Sequence, residues 1–304
     1  MTAHGTVPAA GRRRAMGVSG FSIGRYTVLG LFALVSVIPM IWLLLAPSKT
    51  GAQLQSMSPF AFGSFDNYIL AWNNLQSLDE GVIVRWIMNS VTYTAFIVFV
   101  SVVTATLAGF VLAATRLPFK QFWLIVTLIA MLVPPVALVL PLFIEIKTLG
   151  LFDSPWAVML TSSLFPFGTF LAYIYFATSV PRELYEAAKI DGCNEYQIFW
   201  WVARPLARPL LGILAFFAFV ATWTNYFLPF VLLASNENYT LPLGLGVLFS
   251  ATPALNPGLG ATQLPIGRPE VALAGLLVAI PILVVFLLSQ RFLVRGMLAG
   301  GVKS

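Results

Sequence analysis

The stretch "SVPRELYEAAKIDGCNEYQIFWWVARPLARP", residues 179–209, is a charged, helix-forming insert between two long hydrophobic runs. Pro181 suits the first turn of a helix, where its missing N–H is no loss. Leu184, Ala187, Ala188 and Asp191 then share a face at i, i+3, i+4 and i+7, and Arg182 can pair with Glu186 at i, i+4. Asp191-Gly192 reads as a stop and turn. Asn194 followed by Gln197 has the spacing of a capping box that opens a second short helix. Its aromatic end, "YQIFWW", suits a membrane interface, where tryptophan and tyrosine find mixed surroundings. The segment therefore predicts a helix–turn–helix. Two readings of it stay open on these residues alone. It is either an amphipathic connector lying on a surface, or a docking element whose small Ala187 and Ala188 admit another backbone closely.

The rest of the chain restricts the setting. Of its 304 residues 59% are hydrophobic and only 9% are charged, whereas a soluble domain carries about 25% charged residues. A water-soluble protein is excluded on that ground. The net charge of +6 is scattered between apolar runs and forms no basic stripe, so nucleic acid is not a partner to expect. The single cysteine, Cys193, cannot form an intrachain disulfide and fits neither a zinc site nor a redox pair. The lone His4 lies in a Gly/Ala/Arg-rich leader, so no metal chemistry is expected.

Six apolar runs have roughly the 20-residue length that a bilayer core requires. They are Tyr26–Ala46, Trp86–Ala114, Phe122–Phe143, Trp156–Thr178, Leu210–Ala234 and Val271–Leu293. The first follows "RRR" at 12–14 and so invites a signal-peptide reading. Its core is too long, and "WLLLAPSKT" offers no clean small-x-small cleavage site, which favours an uncleaved span. Only Lys49, Arg85, Lys147 and Arg268 of the seventeen Lys and Arg fall in one alternating set of connecting segments. The other thirteen fall in the termini, 115–121 and 179–209, which the positive-inside rule places in the cytoplasm. The expected fold class is an all-α integral membrane protein of six transmembrane helices. A cytoplasmic tail (1–25), a six-span domain (26–294, with the loop 179–209) and a second cytoplasmic tail (295–304) complete the expected organisation.

No Asp, Glu, Lys or Arg lies deep within any run. Ionisable residues at mid-membrane mark ion and proton relays, so an ion-coupled carrier is disfavoured. Helix breakers do occur at depth, at Pro134, Pro135, Pro141, Pro166, Gly168, Pro229 and Pro281. They are tolerated where freed backbone groups find partners in neighbouring helices or a wet cavity. Ala105, Gly109 and Ala113 give the second run a small-xxx-small face for close helix contact. A membrane-embedded enzyme would need convergent nucleophiles, acids or a metal cluster, none of which the runs supply. A phosphate-binding loop needs a Gly-Lys pair, and none occurs anywhere in the chain.

In this frame "EAAKIDG" followed by "VARP" resembles the cytoplasmic loop motif of permease subunits in binding-protein-dependent ABC importers. That motif is Glu-Ala-Ala, three residues, Gly, nine residues, Ile-x-Leu-Pro. Glu186, Ala187, Ala188, Gly192 and Pro205 stand in register, Val202 takes the isoleucine position, and Asp191 before the glycine is usual. Arg204 replaces the customary leucine, and Cys193 stands where alanine is common. The similarity runs almost end to end. "NSVTYT" (89–94), "AATRLPFK" (113–120), "MLVPPVALVLPLF" (131–143), "TWTNYFLPFVLL" (222–233) and the tail "RFLVRGMLAGGVKS" look like the carbohydrate-uptake branch. Within it they resemble the smaller six-span permease of maltose-type systems.

The resemblance implies a type I importer permease whose insert is a coupling helix docked on a cytoplasmic ATPase. Glu186 would accept a polar contact, Ala187 and Ala188 would permit close approach, and Gly192 would allow the turn. The implied movement passes to spans four and five as a rigid-body displacement. Implied partners are a second, different permease, two ATPase subunits that bind the ATP and magnesium, and an extracytoplasmic solute-binding protein. This chain holds no cofactor of its own. Tyr173 and Tyr175, with Trp223, Asn225 and Tyr226, are the candidate sugar-path residues, and packing or interfacial anchoring is the alternative for each. Rival functions are an importer permease for a polyamine, phosphate or amino acid, and a passive channel, which would need no docking loop.

Overall fold

The computed structural model describes residues 20–78, 81–250, 252 and 266–301, with side chains described between 24 and 293. The leader bearing His4 and Arg12–Arg14, and residues 302–304, lie outside the described residues. Helices account for nearly all the regular structure, and no strand occurs among the described residues.

One helix organises the rest. α3 (Val82–Ala114) runs 33 residues with no proline, after α1 (Gly20–Leu45) and α2 (Phe65–Gln76). At 1.5 Å per residue it is about 50 Å long, longer than a bilayer core. Its buried residues enter three separate core clusters. Ala105 and Phe110 join Ala172, Phe176 and Leu210. Val82, Ile83 and Trp86 join Leu75, Trp223 and Ala274. Tyr93 and Ile97 join Ile146, Val158 and Leu232. The small face read from the sequence is the one that packs. Ala105 is buried, Ala113 is partly buried, and Gly109 lies directly against Ala172 of the fourth apolar run.

The other apolar runs are interrupted where the sequence places its prolines. The third run is two helices, α4 (Lys120–Leu132) and α5 (Pro135–Thr148), bent by 101°. Val133 and Pro134 each precede a proline, which disfavours helical ψ, and both are extended at ψ 122° and 128°. The fourth run divides into α6 (Pro155–Ser162) and α7 (Pro166–Thr178), which together still form a spanning segment, Pro155–Thr178. At that break the Ser101 hydroxyl of α3 donates to the freed carbonyl of Ser163 at 3.0 Å. This is the partner that a broken helix needs inside a membrane.

α8 (Arg182–Ile190) and α9 (Glu195–Ile198) form the insert. α10 (Arg208–Trp223), α11 (Phe227–Leu232), α12 (Leu241–Ser250) and α13 (Arg268–Gly301) complete the chain. Among the described residues, four segments are long and apolar enough to cross a membrane alone: Gly24–Ser48, Val82–Ala114, Pro155–Thr178 and Arg268–Leu293. The number rises to six if the α4–α5 pair and the 79° pair Glu195–Leu206 with Arg208–Trp223 each count as one span. The fifth run thus differs from the uninterrupted Leu210–Ala234 expected, because helix α10 stops at Trp223 and resumes only at Phe227. α1 packs mainly on α13 and shows Phe32, Val35 and Leu44 outward, each more than half exposed. An all-round apolar surface of this kind belongs against lipid.

Candidate functional site: the 179–209 loop and its seat

α8 ends as the sequence predicts. Gly192 takes the left-handed conformation at φ +82°, its N–H donates to Lys189 O at 3.1 Å, and Cys193 N–H donates to Ala188 O at 2.9 Å. Both hydrogen bonds of a Schellman motif are therefore present. The predicted capping box is complete as well: Gln197 N–H donates to Asn194 Oδ1 and Asn194 N–H to Gln197 Oε1, both at 2.9 Å.

The faces of α8 need a correction. Leu184, Ala187, Ala188 and Asp191 do not form one functional face, since Ala188 is buried at 8% exposure while the other three are exposed. The inward face is Tyr185 with Ala188, and the outward face is Glu183, Glu186, Ala187 and Ile190. Successive helical residues point about 100° apart, so two adjacent alanines cannot both face a partner squarely. The inner pair is seated on the bundle, leaving Ala187 alone to admit another backbone. The Arg182–Glu186 pairing is not formed either; the ion pair among the described residues is Arg85–Glu237.

Phe110 of α3 is the centre of the seat. It is 4% exposed, and its ring meets Phe199 at 5.2 Å, Phe176 at 5.7 Å and Tyr185 at 6.0 Å between centroids. The Phe176 and Tyr185 contacts are edge-to-face, the arrangement aromatic quadrupoles favour. The Tyr185 hydroxyl is buried without a hydrogen-bond partner among the described residues. Burial, with nearby Tyr175 adding to it, pushes its pKa up to about 12.

Beyond α9 the backbone widens into a π-helical turn, Phe199–Ala203, before Pro205. A proline inside a helix loses one hydrogen bond and its ring presses on the carbonyl four residues back. The wider turn makes room for it. Arg204 lies over the Trp200 ring at 4.6 Å, and Trp200 in turn meets Tyr196 at 6.1 Å. Three residues at i, i+4, i+8 thus form a continuous aromatic and cationic row.

The five sugar-path candidates are not brought together. Tyr175 donates to Leu206 O at 2.9 Å and so ties the far end of the loop to α7. Tyr173 sits under the Lys120 ammonium at 5.5 Å. Asn225 Oδ1 accepts from Leu228 N–H at 3.3 Å, and Tyr226 stacks on Phe230 with its ring over Gly246. Of the five, only Trp223 lines a large apolar cavity, and its indole N–H is committed to Val278 O at 3.0 Å. That cavity, about 1210 Å³, lies between α3, α10 and α13, with Trp200 and Arg204 joining from the loop. Its lining is almost wholly aliphatic and aromatic.

A second cluster went unread in the sequence. "NSVTYT" proves to be the clasp of the segment 236–241. Asn89 Nδ2 donates to Glu237 O at 2.7 Å and Tyr239 O at 3.0 Å, Tyr93 Oη donates to Asn238 O at 3.2 Å, and Ser90 Oγ accepts from Leu241 N–H at 2.7 Å. Trp86 Nε1 adds a bond to Asn236 O at 2.9 Å. Asp153 closes the clasp from the other side, accepting from Ala234 N–H at 2.8 Å, Ser235 N–H at 2.9 Å and the Ser235 hydroxyl. Partial burial raises the Asp153 pKa, but these hydrogen bonds from Ser235, Ala234 and Asn238 outweigh it and leave it below the ordinary value. The spacing i, i+1, i+4 of Asn89, Ser90 and Tyr93 on one helix face was the available signal. Its partners are 145–151 residues away in sequence and could not be read.

Fold and site together define a multi-span α-helical membrane component with a helical loop seated on its core. The chain belongs to the family of binding-protein-dependent transport system inner membrane components, whose model matches residues 102–299. It is 30% identical to the arabinooligosaccharides transport system permease protein AraQ of Halalkalibacterium halodurans, with 89% of this chain and 92% of the relative covered. It is 32% identical to the maltodextrin transport system permease protein MdxG of Bacillus subtilis, covering 74% and 77% of the two chains. Among solved structures it superposes on a chain of a bacterial ABC transporter involved in alginate import, with a TM-score of 0.73 over 94% of this chain and 99% of that one, at 22% identity.

Proposed function

We propose that this chain is one of two different permease subunits of an ATP-driven importer that carries an oligosaccharide. Relatives named for arabinooligosaccharides, galactooligosaccharides, lactose and maltodextrin support the substrate class over a polyamine, phosphate or amino acid. In this reading both termini and the 179–209 loop lie in the cytoplasm, and residues 236–241 lie on the opposite side. Two ATPase subunits hold the ATP and magnesium, and a solute-binding protein delivers the sugar from outside.

The observation that carries the coupling role is the outward face of α8. Glu186, Ala187 and Ile190 are exposed, Ile190 at 86%, on a helix whose opposite face is locked into the core. An apolar side chain so exposed beside a carboxylate and an alanine has the make-up of a small docking surface. Asp191, Gly192 and Pro205 shape that surface through the turn and the π-helical bend, and Ala188 anchors it from within.

The test is purification of the tagged chain from its native membranes in mild detergent, with its companions identified. The wild-type chain brings an ATPase and a second permease. Glu186→Lys and Gly192→Val lose the ATPase and keep the permease. A wild-type chain that emerges alone, or an ATPase indifferent to both substitutions, defeats the reading.

A further inference from the structure

We infer that α3 carries the displacement of the coupling loop across the membrane, with Phe110 as the residue that takes up the load. This rests on the coupling role proposed above and changes its route, because that route had been expected to run through spans four and five.

The argument is mechanical. The loop touches α3 through Phe110, which meets Tyr185 of α8, Phe199 at the start of the π-helical turn, and Phe176 of α7. One residue earlier, Gly109 lies so close to Ala172 that an added Cβ would stand 2.4 Å from the alanine methyl. At such a close contact α3 and α7 cannot slide past one another without losing their packing. A push on α8 is therefore delivered to both helices at one level.

From there the two routes differ. The α7 route meets the break at Ser163–Phe165, and the route through α10 begins after a 79° bend and ends at Trp223. At each of these breaks the i→i−4 hydrogen-bond ladder that stiffens a helix is interrupted. α3 continues unbroken from Phe110 to the clasp, about six turns away at Asn89, where Asn89, Ser90 and Tyr93 hold segment 236–241. Three hydrogen-bonding side chains and the Trp86 indole make that far end a grip and not a loose contact. Motion at Phe110 thus reaches Glu237, a residue whose side chain is 71% exposed.

The experiment uses the assembled complex in nanodiscs, with native Cys193 replaced by alanine and a single reporter, Glu237→Cys, labelled by a soluble maleimide. The labelling rate is compared between nucleotide-free complex and complex trapped with ATP, magnesium and vanadate. With Phe110 intact, trapping changes the rate by about fivefold, the lower range of ordinary allosteric coupling. In Phe110→Ala the ATPase still co-purifies, because the outward face of α8 is untouched, and the change in rate disappears. Phe110→Tyr, which retains the ring, restores it. If Phe110→Ala impairs assembly, Phe110→Leu keeps the burial without the ring edges and must likewise abolish the change. A rate that responds to trapping equally well in the leucine or alanine variant overturns the inference, as does a wild-type rate indifferent to trapping. Absence of the ATPase from the wild-type complex would instead defeat the proposed function, and is seen before any labelling.

Discussion

Gly109 of α3 and Ala172 of α7 meet where no side chain larger than hydrogen fits on the glycine: an added Cβ would lie 2.4 Å from the alanine Cβ and 2.7 Å from the Tyr173 nitrogen. Between helices in lipid, association depends on such backbone approach and not on a hydrophobic drive. Gly109→Ala should therefore destabilise by about 1–3 kcal/mol, the range for overpacking. Ala172→Gly should recover part of the loss in the double variant. Thermal denaturation in detergent measures both, and a Gly109→Ala protein as stable as wild type would show that the crossing is looser than described.

Gly192 poses a different problem, since nothing lies within 4 Å of where its Cβ would be. The cost of Gly192→Ala is then purely conformational, about 1–2 kcal/mol for a left-handed residue. Gly192→Asn should cost less, because asparagine tolerates this region. Co-purification of the ATPase should follow the same order: glycine, asparagine, alanine. Equal behaviour of all three would mean that the turn is not held in this conformation when docked.

Asp153 predicts a pH dependence whose sign follows from its environment. Its folded pKa is lowered from the ordinary 3.8 by the hydrogen bonds it accepts. The stability it supplies is therefore fully present above the unfolded-state value and is lost as pH falls through the lower, folded value. Asp153→Asn should be less stable than wild type at pH 7, and the gap should narrow as pH drops below about 4. Melting temperatures of the two proteins between pH 7 and pH 3 decide it, and a gap that does not close with acid would refute the clasp's dependence on the carboxylate.

Arg204 offers a test of the row Tyr196–Trp200–Arg204. Replacing it by leucine removes the cation over the Trp200 ring, worth about 0.5–1 kcal/mol at an exposed site. Arg204→Leu should destabilise by no more than that in wild type and by nothing once Trp200 is already leucine. A larger loss, or one that persists in the Trp200→Leu background, would assign Arg204 a contact other than this ring.

Local chemistry made much of this legible. Gly192 stopping α8, Asn194 and Gln197 opening α9, and prolines breaking the third and fourth runs are decided by residues within four or five positions of one another, and the structure repeats them. The small face of α3 was equally readable, because a four-residue period fixes which side chains share a face whatever they meet. What α3 meets was not readable. That Ala188 turns inward while Ala187 faces out depends on where Phe110 stands. That Tyr175 ties the loop to α7 depends on where the Leu206 carbonyl stands. "NSVTYT" is a clasp only because the chain returns to it some 150 residues later. Periodicity and caps are properties of neighbours along the chain and were determined by the sequence alone. Seats, clasps and the route of a force are properties of neighbours in space, and only the packing of one long helix against the broken ones decided them.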